Sequence, residues 1–295
     1  MKKIGFIGIG VMGSSIVKHL LKAGYEVNVY NRTKSKTDEV VALGANWYAD
    51  PATVTKESEV VFTIVGYPED VEETYFGEKG IFQTATAEHI LIDMTTSTPS
   101  LAVKLYKKGK ENGIAVLDAP VSGGDLGAQK GTLTIMVGGD ESTYAAIEPI
   151  FKEFSSKVNL QGSAGKGQHT KMANQIMIAG TMTGMTELLV YADAAGLDLE
   201  KVLDTVGGGS AGNWSLANYG PRILQGDFSP GFFIKHFVKD LKIALNEASR
   251  MDIDLPFTAL AQQLYEKLET NGHGDEGTQA FIKLWWPDGK RKMNF

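Results

Sequence analysis

The first half of the 295-residue chain is cut into short β-branched runs separated by helix-length segments, and the first run flows directly into three spaced glycines. Runs at 4–7, 26–30, 60–65, 90–93, 114–117, 133–137 and 157–160 have strand character, while 11–22 and 100–112 have helix length and are closed by Gly24 and Gly113, residues suited to the position just past a helix end. Such alternation predicts parallel strands joined by right-handed helical crossovers, and hence a doubly wound sheet. After about residue 162 the strand signals stop, and 166–195, 199–206, 215–220, 234–251 and 256–271 read as helix. The stretch 170–195 carries Met, Ile, Ala, Gly and Leu on nearly every face, which predicts a helix buried all round, a spine between domains or between subunits. The tail Leu284-Trp285-Trp286-Pro287 is expected to dock onto its own domain.

Composition narrows the function classes. A formal charge of -6 with scattered Lys and Arg offers no basic footprint for a phosphate backbone, so nucleic acid is not an expected partner. The absence of Cys excludes disulfides, thiolate metal sites and a covalent thiohemiacetal route for aldehyde oxidation, so redox chemistry requires a cofactor. The five histidines show no metal-ligand spacing, and no metal is expected. The opening MKKIGFIGIG is broken by Gly5, Gly8 and Gly10, which reads as a first strand and not a signal segment. No window approaches the roughly 18 consecutive apolar residues of a membrane span, and a cytoplasmic chain without membrane partners is expected.

The sequence Gly8-Ile9-Gly10-Val11-Met12-Gly13 stands between the first strand and the first helix, the context that a dinucleotide fingerprint requires. Gly8 makes the tight turn, Gly10 admits a pyrophosphate to the backbone, and Gly13 lets the helix pack close to the strand, so that the anion rests on the N–H groups of residues such as Val11 and Met12 at the helix start. The expected architecture is an α/β Rossmann doubly wound domain at 1–163 followed by an all-α domain at 164–295.

Dinucleotide folds that take NAD end the second strand in a carboxylate that accepts from the ribose hydroxyls. Here that strand ends in Asn31-Arg32-Thr33. A guanidinium pairs bidentately with a 2′-phosphate and a threonine hydroxyl adds to it, which favours NADP. The alternative is that Arg32 stacks on adenine and Asn31 serves either cofactor, leaving NAD open. Asp38 and Glu39 are expected on the next helix, facing solvent.

Together with Asp118-Ala119-Pro120-Val121-Ser122-Gly123-Gly124 and the Gly-x-Gly-x-x-x-Lys run from Gly165 to Lys171, the fingerprint resembles the β-hydroxyacid dehydrogenase family, the group of 3-hydroxyisobutyrate dehydrogenases, tartronate semialdehyde reductases and glyoxylate and succinic semialdehyde reductases. The resemblance covers essentially the whole chain. It implies an active site between the two domains, with the all-α domain serving substrate binding and oligomerisation, in a homodimer or homotetramer. It implies that Ser122, Gly123 and Gly124 bind a small substrate carboxylate, consistent with a hydroxyl and glycine N–H groups forming an anion nest. Thr96, within Asp93-Met94-Thr95-Thr96-Ser97, is implied as a nicotinamide contact, and Lys239 and Asp240 as groups near the cofactor. Lys171 is implied as the catalytic proton carrier. Its own surroundings agree: it is nearly alone in an apolar helix, with Asn174 and Gln175 at i+3 and i+4 on its face, and burial moves a lysine toward a range useful for proton transfer. Asn174 is expected to hold the substrate hydroxyl or carboxylate and Gln175 to contact substrate.

The expected reaction is hydride transfer between NADP(H) and a small 3-hydroxy acid or its semialdehyde or keto acid counterpart. The rivals are an imine reductase, which shares the fold but generally lacks the lysine, and a catalytically silent NADP-binding sensor or scaffold. A 6-phosphogluconate dehydrogenase is disfavoured because that group has a much longer C-terminal region. The segments 66–70 and 207–214 are expected to line the site and leave the substrate open.

Overall fold

The computed structural model describes residues 1–289. Among these, β1 Lys3–Ile7, β2 Glu26–Tyr30, β3 Asn46–Trp47, β4 Val60–Thr63, β5 Ile90–Asp93, β6 Ala115–Asp118, β7 Val121–Ser122, β8 Leu133–Gly138 and β9 Ser155–Gly162 build one sheet. Its order is β3-β2-β1-β4-β5-β6-β8-β7, with β9 alongside β8. The helices are α1 Val11–Lys22, α2 Asp38–Ala42, α3 Pro51–Lys56, α4 Pro68–Phe76, α5 Pro99–Glu111, α6 Gly124–Lys130, α7 Glu141–Phe151, α8 Lys166–Ala194, α9 Leu199–Gly207, α10 Trp214–Leu224, α11 Ile234–Arg250 and α12 Pro256–Leu268. The run β3-β2-β1-β4-β5-β6 is the strand order of the Rossmann sheet, whose reversal beside β1 is where such sheets bind dinucleotides.

Packing divides the chain into two compact units, one ending at Lys171 and one starting at Met172, so the division falls inside α8. The expected boundary after residue 163 marks instead where the strands end. Residues 290–295 of the expected second domain lie outside the described residues.

In the first unit both faces of the sheet are covered, which explains the unbroken apolar strands. Val60 and Phe62 of β4 and Ile92 of β5 enter one core cluster with Phe6, Phe151 and Phe154, while their neighbours Val61 and Leu91 enter a second with Tyr75 and Leu105. Two features depart from the sequence reading. The two-residue strands β3 and β7 were too short to give a periodic signal. The sheet is not wholly parallel, because β8 runs antiparallel to both β6 and β7. The physical reason is reach: the seven residues of α6 span about 10 Å at helical rise. A parallel crossover beside the six-residue β8 must cover about 20 Å.

The second unit is helical. One cluster gathers Phe237, Leu241, Tyr265 and Phe281, and another gathers Met182, Leu189, Leu216, Ile223 and Trp286. The tryptophan tail therefore docks on its own unit, with Trp285 edge-on to Phe281 at 5.6 Å. The expectation that the long helix is buried all round is corrected: α8 exposes Ala173, Met177, Gly180, Gly184, Glu187 and Tyr191 along one stripe. Because most of these are small or apolar, the exposed face carries little polarity, and the sequence pattern concealed it. Among the described residues no helix is long and apolar enough to cross a membrane.

The glycine turn after β1 is set by contact. Gly8 has φ +101, and a Cβ there would lie 2.1 Å from the Ile64 carbonyl oxygen. A Cβ on Gly13 would lie 1.9 Å from the Gly8 carbonyl oxygen, whereas one on Gly10 would meet nothing within 4 Å. Gly13→Ala should therefore cost about 1–3 kcal/mol or more, the range for overpacking a tight contact, read as a lowered midpoint in thermal or denaturant unfolding. Gly10→Ala should leave that midpoint in place; equal losses in both variants would overturn this account of the turn.

Candidate functional site

The start of α1 is an anion-ready helix end. Gly10 stands at its N-cap, no side chain caps it, and its first turn has no acidic residue. Val11 is exposed at this end while Met12 is turned partly into the core. Asn31, at the end of β2, accepts from the Ile9 N–H through Oδ1 at 2.9 Å and donates through Nδ2 to the Thr33 carbonyl at 2.8 Å. It thereby ties the glycine turn to the β2 end, a structural task beside the cofactor contact expected of it. Thr33 and Arg32 are exposed beyond it. Arg32 is paired, with Nη1 3.0 Å from Asp70 Oδ1. Glu39, on α2, meets Lys18 of α1 at 2.6 Å on the surface.

Two neighbouring strands end in aspartates that face one another in register, Asp93 on β5 and Asp118 on β6. Asp93 Oδ1 accepts from the Thr95 N–H and the Thr63 hydroxyl, both at 3.0 Å. Burial pushes its carboxyl up to about 6, the hydrogen bonds pull the other way, and the Asp118 charge adds to the rise. Asp118 is also raised by burial, and is held back by the N–H groups it binds, Gly165 at 2.7 Å and Gln168 at 2.9 Å. These are the N–H groups at the start of α8, so a strand-end carboxylate caps the helix that carries Lys171. The glycines of the Gly-x-Gly-x-x-x-Lys run serve this joint: Gly165 has φ +86, and a Cβ on Gly167 would lie 2.4 Å from the Met136 carbonyl oxygen.

Gln168 completes the joint. It is fully buried, its Oε1 accepts from the Ser97 N–H at 3.1 Å, and its Nε2 donates to the Thr95 carbonyl at 2.7 Å. The backbone on both sides of Thr96 is thereby fastened to the first turn of α8, and Thr96 itself is half-buried. Lys171 follows one turn later and is only 6% exposed.

Ser122 closes β7 opposite Thr134 of β8. Gly123 and Gly124 follow with φ +128 and +63, two successive conformations that side chains rarely adopt, and α6 starts there. Ser122 and Gly124 are half-exposed and Gly123 is exposed.

Further along α8, Asn174 donates through Nδ2 to Gln175 Oε1 at 2.8 Å, and Gln175 Nε2 donates to Asp240 Oδ2 at 2.7 Å. Lys239 Nζ lies 3.1 Å from Asp240 Oδ1. Gln175 is 0% exposed and Asp240 1%. Both ends of the Gln175 amide are therefore engaged within the protein, one by Asn174 and the other by Asp240. Asp240 likewise faces Gln175 and Lys239. Among the described residues no group of His, Asp or Glu is placed to hold a metal ion.

Residues 3–162 match the family described as the NAD binding domain of 6-phosphogluconate dehydrogenase. Residues 165–285 match the family described as NAD-binding of NADP-dependent 3-hydroxyisobutyrate dehydrogenase. An Arabidopsis thaliana protein named probable 3-hydroxyisobutyrate dehydrogenase-like 1, mitochondrial, is 52% identical over 281 residues, 95% of this chain and 84% of its own. The 2-hydroxy-3-oxopropionate reductase of Escherichia coli is 37% identical over 281 residues, 95% of this chain and 96% of its own. The solved structure of Mycobacterium tuberculosis 3-hydroxyisobutyrate dehydrogenase with L-serine has a TM-score of 0.88 at 28% identity, covering 96% of this chain and 99% of that one. The chain belongs to the β-hydroxyacid dehydrogenase family. It is an oxidoreductase, an NAD(P)-dependent hydroxyacid dehydrogenase of the 3-hydroxyisobutyrate dehydrogenase type.

The first unit of this dehydrogenase fits a nicotinamide dinucleotide on its own geometry: the backbone is open in front of Gly10, where a Cβ would fill the approach, and the helix end behind it is uncapped by any side chain. Sequence reading passed over Gln168 and did not single out Asp93 and Asp118 as a pair. A signal was present, since Ile-Leu-Ile-Asp and Ala-Val-Leu-Asp are two apolar runs each ending in an acid.

Asp93 generates a pH prediction. Its folded-state carboxyl lies near 6, above the ordinary 3.8, so between these values the folded chain holds more protons than the unfolded one and this group's contribution to stability falls as pH rises. Asp118, across the strand pair, and Tyr75, whose hydroxyl meets Thr63, are the titratable neighbours. Asp93→Asn should gain on the parent as pH rises from 4 to 8, on the order of 2–3 kcal/mol for a shift of this size. Denaturant unfolding of both proteins across that range checks it, and parallel pH profiles would refute the assignment.

Proposed function

We propose that this enzyme moves a hydride between NADP(H) and a small 3-hydroxy acid or its semialdehyde or keto acid counterpart, with Lys171 as general acid and base. The observation that carries the reading is the placement of Lys171. Lysine is among the side chains least often buried, and this one stands one turn after a helix start fastened by Asp118 and Gln168 to the 95–97 segment.

The glycine turn and the start of α1 hold the pyrophosphate, Thr96 lies beside the nicotinamide, and Lys239 adds positive charge near the cofactor. When bound, the nicotinamide accepts or supplies the hydride at the substrate carbon that bears the oxygen. In oxidation Lys171 Nζ takes the hydroxyl proton, and in reduction it returns a proton to the developing alkoxide. Asn174, oriented by Gln175, holds the hydroxyl or carboxylate. Ser122 and the N–H groups of Gly123 and Gly124 receive the carboxylate. Such a nest takes one small anion, which favours glyoxylate, succinic semialdehyde, methylmalonate semialdehyde or tartronate semialdehyde over a sugar phosphate. A panel of these acids with NADPH absorbance as readout tests the class; turnover of 6-phosphogluconate with none of them would remove it. The apolar stripe of α8, with Met177 and Tyr191 exposed, supports a homodimer or homotetramer. Sedimentation showing a monomer at all micromolar concentrations would overturn that assignment.

Lys171→Met should lower kcat by roughly 10²- to 10⁴-fold, the usual contribution of a positioned proton-transfer group. Lys171→Arg separates proton from charge, because arginine keeps the charge and does not readily release a proton. Near-normal turnover in the arginine variant would assign the effect to charge alone. Arg32→Ala should weaken NADPH binding by about tenfold, the lower end for a charge-assisted pair because Arg32 is exposed, and should spare NADH. Equal losses for the two cofactors would withdraw Arg32 as the 2′-phosphate partner.

A further inference from the structure

The first turn of α4 places a fixed negative charge against the expected 2′-phosphate cation. Pro68 opens the helix, Asp70 stands at its third position, and Asp70 Oδ2 accepts from the Tyr67 N–H at 3.1 Å. That bond is an ordinary helix cap, and it engages one carboxylate oxygen. The other, Oδ1, is presented to Arg32 Nη1 at 3.0 Å. The two partners are unequal: the Asp70 side chain is 28% exposed and anchored by its own helix, while the Arg32 side chain is 85% exposed on a long stem. The carboxylate is the fixed point, and the guanidinium is the group that comes to it.

We infer that Asp70 is a specificity-determining residue that competes with the 2′-phosphate for Arg32 and so moderates the preference for NADP(H) over NAD(H). This rests on the reading of Arg32 as the 2′-phosphate partner. A 2′-phosphate must take a guanidinium that is already neutralised, and must then sit within a few ångströms of a carboxylate that its helix cap prevents from swinging away. A 2′-hydroxyl meets no such repulsion and can donate a hydrogen bond to the same carboxylate, the arrangement by which acidic residues select NAD. Arg32 and Asp70 thus pull in opposite directions on one position of the cofactor, from the segments that follow β2 and β4, the two strands that flank β1.

The test is Asp70→Asn, which keeps a carbonyl oxygen for the Tyr67 N–H and removes the charge. Dissociation constants for NADPH and NADH are measured by fluorescence titration on the full chain at low and high salt. NADPH should bind about 2- to 5-fold more tightly, the scale of an exposed ion pair, NADH should be unchanged or weaker, and the gain should shrink at high salt. Asp70→Ala, which also loses the cap, should move the NADPH-to-NADH ratio in the same direction even where its melting temperature falls. Unchanged or weaker NADPH binding in the asparagine variant, or an equal gain for both cofactors, overturns the inference. Arg32→Ala in the same assay separates the two claims. Discrimination lost with Arg32 but untouched by Asp70→Asn defeats the competition alone, whereas a ratio indifferent to Arg32→Ala defeats the reading beneath it.

Discussion

The carboxylate of Asp118 is the joint on which the rest of the arrangement hangs. It ends β6, is almost wholly buried, and accepts from the Gly165 and Gln168 N–H groups at the start of α8. A buried carboxylate is costly unless its oxygens are met by donors, and the first N–H groups of a helix are donors without partners of their own, on the positive end of the helix dipole. Each solves the other's problem. Because α8 is continuous through this turn, fixing its first residues also fixes the rotation of Lys171. Gln168 extends the joint sideways to the strand-end segment 95–97, so the group implied beside the nicotinamide and the start of the lysine-bearing helix share one hydrogen-bonded frame.

Polar groups among the described residues differ in how far they are withdrawn from solvent. Asn31, Gln168, Gln175, Asp93, Asp118 and Asp240 all have protein partners, and four of them are at most 2% exposed. Gly10, Thr96, Ser122 and the two glycines after it retain exposure. This difference follows from solvation, because a buried amide or carboxylate must find its partners inside the protein, whereas an exposed group can turn to water. Membership in the β-hydroxyacid dehydrogenase family establishes the chemistry at the level of hydride transfer to or from a hydroxy acid.

Much of the fold was legible in local pattern. The fingerprint helix was read at 11–22 and runs Val11–Lys22, and the long helix was read at 166–195 and runs Lys166–Ala194. Apolar strands bounded by glycine turns gave the Rossmann order its raw material. What escaped had no local signature. Two-residue strands carry no period, the direction of β8 depends on how far α6 can reach, and the exposed stripe of α8 is disguised because its residues are small or apolar. Among the candidate site residues, the family resemblance marked out Ser122 and Lys171, and residue type and helical spacing agreed for Lys171 and Asn174. The spacing of Gln175 puts it on the face of Lys171, but spacing along a helix does not reveal that Asp240 packs against it.

The sequence by itself determined the features that depend on near neighbours: the glycine turn, the alternation of strand and helix, the absence of thiol chemistry, and the motif order that marks the family. These follow from steric limits and periodicity acting over a few residues. Tertiary structure alone decided the pairings that close over distance. Asp118 and Gly165 are 47 residues apart, Gln168 and Ser97 are 71 apart, and Arg32 meets an aspartate 38 residues away. A side chain's partner across such a gap is chosen by where the whole sheet places its strand ends, and no local rule contains that information.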